Sequence, residues 1–191
     1  MALKKGNEIA TIDVVLVTIT ATINDVTTEL AIDTASQIGI EPQTSTTEAV
    51  QLIIKGKLKA QKRGKVTLTG NKITLKDNVF IPELVKLLQG GTITYGEDGK
   101  TVTKYVPPVA GSSLDDLPVF TLNAYSAQYD ASGLIVRYEK TSYPNCTGQP
   151  VSMSSEDNVF RVPTYTIDSA PAVGQAPYEI EYLDELPTIS A

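Results

Sequence analysis

The chain has 191 residues, a net charge of −6, no histidine, no tryptophan and one cysteine. That balance argues against a protein that grips nucleic-acid phosphates, and it removes an internal disulfide, a Cys/His zinc site and any catalysis built on imidazole. No apolar run reaches the roughly 18 residues of a membrane helix, and the opening MALKKGNEIATID lacks the apolar region of a secretory signal. Nor does GKVTLTGNK have the spacing of a phosphate loop. The expectation is a protein without enzymatic activity, cofactor or metal, forming one domain over 1–191. Abundant Thr and Val with 13 Gly and 11 Pro favour short strands joined by turns.

In chain order, residues 1–11 are polar and are expected to lie loosely or to order on a neighbour. From Ile12 to Ile23 the run IDVVLVTITATI reads as a long strand, with Val17, Ile19, Ala21 and Ile23 on one face and Thr18, Thr20 and Thr22 on the other. Asn24-Asp25 marks a turn and Val26–Ala31 returns as a partner. Residues 33–48 are turn-rich and polar with little to bury. They read as a long loop or as an arm that orders against a neighbouring copy, and Asp33, Gln43, Thr44 and Thr46 are its candidate contacts.

The stretch 49–76 follows as a basic hairpin. Between Glu48 and Asp77 no acid occurs, yet Lys55, Lys57, Lys59, Lys62, Arg63, Lys65, Lys72 and Lys76 supply half of the 16 basic groups. Its tip is expected at Gln61-Lys62-Arg63-Gly64. The strip reads either as a positive docking surface or as the solvated edge of a hairpin that lysines keep from stray pairing. From Asp77 onward 15 acids face 6 bases, and this asymmetry suits a protein that stacks on itself.

The clearest helix signal runs from Phe80. Phe80, Ile81, Leu84, Val85, Leu87 and Leu88 share one face at helical spacing, with Glu83, Lys86 and Gln89 opposite. Asp77 or Asn78 can cap the lead-in turn, Pro82 suits a first helical turn, and Gly90-Gly91 provides the stop. Phe80, Ile81, Leu84, Val85 and Leu88 are therefore the candidate core of a single flanking helix over a sheet. Thr92–Tyr95 and Thr101–Tyr105 flank a hairpin turn at Gly96-Glu97-Asp98-Gly99, whose adjacent carboxylates do not straddle a sugar bond as a glycosidase pair does.

Pro107–Pro118 reads as a surface loop. Phe120–Tyr125 and Leu134–Lys140 read as strands around a loop at 130–133, and Tyr143–Pro150 as a tight connection. Cys146 has no base beside it and reads as an inert small residue. Asp157-Asn158-Val159-Phe160 repeats Asp77-Asn78-Val79-Phe80, but Pro163 and β-branched residues follow it, so no helix is expected there. The chain closes on an acidic strand carrying Glu179 and Glu181.

The strings DTASQIGIEPQTSTTEAVQLIIKGKLKAQK, TGNKITLKDNVFIPELVKLLQGGTITY and LIVRYEKTSYPNCTGQPVSMSSEDNVFRVPTYTIDSAP cover most of residues 31–171. In their order around a single helix they resemble the major tail tube protein of long-tailed bacteriophages. No short motif in them is diagnostic alone, and the basic tip at Lys62-Arg63 has no clear match. The resemblance implies a mainly β sandwich or split barrel with one flanking helix, closing into a larger barrel as hexameric rings stack. It also implies partners: further copies of the chain, a tape-measure protein, a tail initiator or baseplate and a terminator, with double-stranded DNA passing without tight binding. The setting would be the virion, assembled in the host cytoplasm. Glu179 and Glu181 become candidates for the lumen, and the residues from Asp33 to Lys65 named above become candidates for assembly contacts. Two rivals remain: another virion ring such as a tail terminator or head–tail completion protein, and a carbohydrate-binding β domain.

Overall fold

The computed structural model describes residues 10–23, 25–113, 117–153 and 155–189. The expected loose start at 1–9, Asn24 of the first turn and the middle of the Pro107–Pro118 loop lie outside them.

Among the described residues, twelve strands and one helix follow in order. They are β1 Thr11–Ile23, β2 Val26–Ile32, β3 Ala35–Thr46, β4 Val50–Ile54, β5 Lys57–Lys62, β6 Val66–Asp77, α1 Pro82–Gln89, β7 Thr92–Tyr95, β8 Val102–Val106, β9 Phe120–Tyr129, β10 Ile135–Gly148, β11 Thr164–Ser169 and β12 Glu179–Leu183. Eight strands form one sheet in the order β2-β1-β9-β10-β11-β6-β3, with β12 pairing β10 off that path. The pairs β4–β5 and β7–β8 are separate two-stranded hairpins. The sheet curls until β1 passes beside β3 without pairing to it, so it stays open, with β2 and β3 as its edges. The architecture is mainly β with one helix, as the sequence leads one to expect.

The register explains the core, because residues directly across a ladder share a face. Ile32, Val17 and Ala124 form one row, Leu30, Ile19, Leu122 and Tyr143 the next, and Ala21, Phe120 and Cys146 a third. On the far side Ile38, Leu75 and Tyr165 align, as do Ile40, Ile73 and Ile167. Helix α1 lies over this face and contributes Leu84, Val85 and Leu88, all fully buried. Phe80 and Ile81 pack partly buried beside them, but they precede the helix, which starts at Pro82.

Several sequence expectations need correction. Residues 33–48 are not a loop: 35–46 form β3, hydrogen-bonded along its length to β6. The hairpin tip is at Lys55-Gly56, where φ values of 49° and 73° make the tight turn that two-residue hairpins favour, and Gln61-Lys62 closes β5 instead. Residues 66–76 belong to β6 of the main sheet rather than to the basic hairpin. The stretch 143–150 is not a tight connection either, because β10 continues to Gly148 through a bulge between Tyr143 and Cys146. Pro144 sits at that bulge, where a missing N–H costs no ladder bond. Its carbonyl accepts Ser169 Oγ at 2.8 Å, and that of Asn145 accepts Ala170 N at 3.2 Å. There β10 changes partner, from β12 at 138–142 to β11 at 146–148.

Asp77 caps the lead-in turn, as its position leads one to expect, while the helix itself starts from Ile81 with no side-chain cap. Asp77 Oδ1 accepts Thr34 Oγ1 at 2.6 Å and Val79 N at 3.4 Å. Gln89 is buried, not on an exposed face. Its Nε2 donates to Tyr105 Oη at 2.9 Å, its Oε1 accepts Val151 N at 2.7 Å, and Tyr105 Oη donates to Gly90 O at 2.8 Å. That bridge ties the helix end to β8 and to the segment after β10.

Burial pushes the Cys146 thiol and the Tyr143 and Tyr165 phenols each up to about 12, from 9.0, 10.0 and 10.0. The folded state therefore holds these protons more tightly than the unfolded chain. Their contribution to stability is complete below pH 9 and is lost as pH rises from there towards about 12. Urea midpoints are expected to fall clearly between about pH 8 and about pH 11, and Tyr165→Phe should flatten the decline. A midpoint flat over that interval would contradict the burial of these groups.

Candidate assembly surfaces

Every residue from 40 to 69 is exposed, so the outer half of β3, the first third of β6 and the β4–β5 hairpin together form an arm projecting beyond the core. The arm has no core of its own. Val50 (64% exposed) and Leu52 (53%) share one hairpin face with Ile54 and Ala60, while Ile53 and Leu58 pair on the other. Isolated two-stranded hairpins are marginal in water, and contiguous exposed aliphatic surface marks an interaction site.

The arm gathers most of the candidate contacts. Thr44 pairs with Leu68 and Thr46 with Val66, while Gln43 O accepts Thr69 Oγ1 at 3.1 Å. Lys55 lies in the hairpin turn, Lys57 and Lys62 are paired within β5, and Lys59 is the bulged residue. Arg63 and Lys65 lie in the link to β6, which Lys65 N fastens to Thr47 Oγ1 at 2.9 Å. Among the described residues none of these cations is in an ion pair. Asp33 is not part of the arm; it sits exposed at the β2–β3 turn.

The sheet face opposite the core is mostly polar, with the buried Leu16 and Tyr125 also on it. Thr18 faces Asn123, whose Nδ2 donates to Thr18 Oγ1 at 3.1 Å, and Thr20 faces Thr121. Glu179 lies across from Ser142, and Glu181 across from Lys140, whose Nζ donates to it at 2.8 Å. That hydrogen bond raises the Lys140 pKa. The two candidate lumen carboxylates therefore share one face. Glu29, Glu41 and Asp168 join them there, against Lys72, Lys76 and Lys140. Residues 187–189 cross part of this face and enclose a cavity of about 290 Å³ above Thr18, Thr20, Asn123 and Tyr125.

The acidic turns are locally occupied. The Asp98 carboxyl is held below its usual range by the Thr101 hydroxyl and neighbouring amides, and Asp130 is held down in the same way by Ser132 and Leu134 N. Cys146 Sγ donates to Tyr143 O at 3.2 Å in a dry core. Among the described residues no three acidic, cysteine or histidine side chains gather to hold a metal ion, and no helix is long and apolar enough to cross a membrane.

Sequence reasoning missed the two-faced apolar character of β4–β5. The run VQLII, apolar at four of five positions, carries that signal.

No protein-family model matches the chain, and no curated protein matches it. Among solved structures, a chain in the cryo-EM structure of the anti-feeding prophage (AFP) baseplate, 6-fold symmetrised, is similar over 96% of this chain and 97% of that chain, with 9% sequence identity and a TM-score of 0.34.

Proposed function

We propose that this chain is a non-enzymatic structural protomer of a phage-type tail tube, in which copies join side by side into rings and the rings stack into a conduit for the genome. The observation that carries the reading is the arm at 40–69, which carries an exposed, basic and two-faced apolar hairpin that none of the described residues covers. Two further features support it. The curled sheet ends in two edge strands, β2 and β3, and edge-to-edge pairing between copies would close it into a larger barrel with no free edge. The polar face would then line the lumen. Its five carboxylates, Glu29, Glu41, Asp168, Glu179 and Glu181, against Lys72, Lys76 and Lys140 would let DNA phosphates slide rather than adhere. A tape-measure protein inside, an initiator or baseplate at one end and a terminator at the other are the partners such a tube requires, in a virion assembled in the host cytoplasm.

The test is negative-stain electron microscopy with analytical sedimentation across concentration and salt. Hollow tubes or stacked rings are the expected result. Reversing the strip with Lys57→Glu, Lys59→Glu, Lys62→Glu and Arg63→Glu is expected to shorten or abolish them while leaving the melting curve in place. A single closed ring that never stacks would favour a terminator, and a persistent monomer at high concentration, even beside its own initiator complex, would sink the reading.

A further inference from the structure

A second apolar surface lies at the other side of the molecule. Between α1 with β7 and the adjoining ends of β1 and β2, a groove of about 450 Å³ runs over Ile23, Leu30, Leu87, Ile93 and Tyr95. Its floor continues the core, since Ile19 and Ala21 beneath it are buried, whereas Ile23 and Tyr95 at its mouth are each 43% exposed. The groove is thus a core face lacking its last layer. Glu83 stands on its rim with Lys86 as the counterpart base. Among the described residues no arm residue of the same chain lines it.

We propose that this groove receives the β4–β5 hairpin of a second copy of the chain. The inference rests on the tube reading for its polymeric setting and names the partner of the arm. Chemistry carries it. The hairpin face of Val50, Leu52, Ile54 and Ala60 is exposed and aliphatic along its middle, with Lys57 and Lys62 at its two ends, and the groove offers an aliphatic floor. Lys57 and Lys62 border that hairpin face, opposite Ile54 and Val50, and no acid occurs between Glu48 and Asp77. These lysines meet Glu83 when the hairpin is seated, which favours one orientation. Each copy carries one hairpin and one groove on different surfaces, so the contact is heterologous. Such contacts propagate into rings or open filaments rather than stopping at a dimer.

The test uses cysteine pairs in the full chain, retaining the buried Cys146. Leu52→Cys combined with Leu87→Cys is expected to give a ladder of intermolecular disulfides under mild oxidation once particles form. Leu58→Cys combined with Leu87→Cys, from the opposite hairpin face, should crosslink much less. Independently, Glu83→Lys is expected to raise the concentration needed for assembly about tenfold, with recovery when Lys57→Glu and Lys62→Glu are added. Leu52 and Leu58 are exposed while Glu83 and Leu87 are half-buried, so circular dichroism checks that each variant keeps the fold. Particles that form without the Leu52–Leu87 crosslink and ignore the rim charges would overturn the groove assignment and leave the tube reading standing. Crosslinked chains without tubes or rings would sink the tube reading and keep the groove. Neither particles nor crosslinks would overturn both.

Discussion

Gly148→Ala is expected to destabilise the monomer by about 3 kcal/mol, at the upper end of overpacking costs. A Cβ at this position would land on Leu88 Cα and its carbonyl oxygen and would come within 2.6 Å of Leu88 Cβ. The obstacle is helix backbone rather than the yielding end of a side chain, so α1 as a whole must move off β10. That movement loosens Leu84, Val85 and Leu88, which are fully buried under the helix, and strains the Gln89 bridge to Tyr105 and Val151. Gly39→Ala is the control, because its new Cβ would meet only Thr74, at 3.9 Å. Urea denaturation should show a large fall in midpoint for Gly148→Ala and a change within about 0.5 kcal/mol for Gly39→Ala. Equal effects would mean that the helix does not depend on close approach to β10.

Excising the arm is expected to separate folding from assembly completely. Thr46 pairs directly with Val66, so residues 47–65 can be replaced by Asn-Gly, a two-residue turn suited to joining antiparallel neighbours. Every residue removed is exposed, and the core rows described above lose nothing. The shortened chain should unfold within about 1 kcal/mol of the parent, since no buried contact is lost. It should also remain monomeric at concentrations where the parent forms particles. Tubes assembled from the shortened chain would show that the arm is not the assembly element.

Much of this architecture is legible in the sequence wherever one face of an element is apolar and the other polar. The alternation at Val17–Ala21, the helical spacing from Phe80, Pro82 at the first turn and the turn at 96–99 all report burial directly. Elements whose reason for existing lies outside their own side chains are harder to read. Strand β3 is an edge strand whose outer half, Glu41–Thr46, never touches the core; its only partner there is β6, and Pro42 is tolerated because an edge N–H faces no neighbour. In β10, Pro144, Asn145 and Gly148 resemble a turn, yet each answers a tertiary demand: the bulge for the first two and the helix backbone for the third. Gln89 looks like a surface residue by type but is buried, because two partners satisfy its amide. Of the candidate contacts, charge alone picked out the basic members of the arm. The groove is harder to see, because its walls come from strands and a helix far apart along the chain.

The order of strands in the sheet sets a timetable. Thr18 reaches Asn123 across a separation of 105 positions, and β6 finds β11 only after most of the chain has emerged. Sheets dominated by such distant pairings fold in milliseconds to seconds, whereas a hairpin like β4–β5 forms in roughly 1–10 microseconds. The hairpin therefore samples its paired form long before the groove exists, because the groove walls require β1, β2, α1 and β7 to be in place together. A newly made chain is a donor before it is an acceptor. Growth by addition to completed copies is favoured over the pairing of two immature ones, and refolding at high concentration should lose material to aggregates that spare the arm-deleted chain.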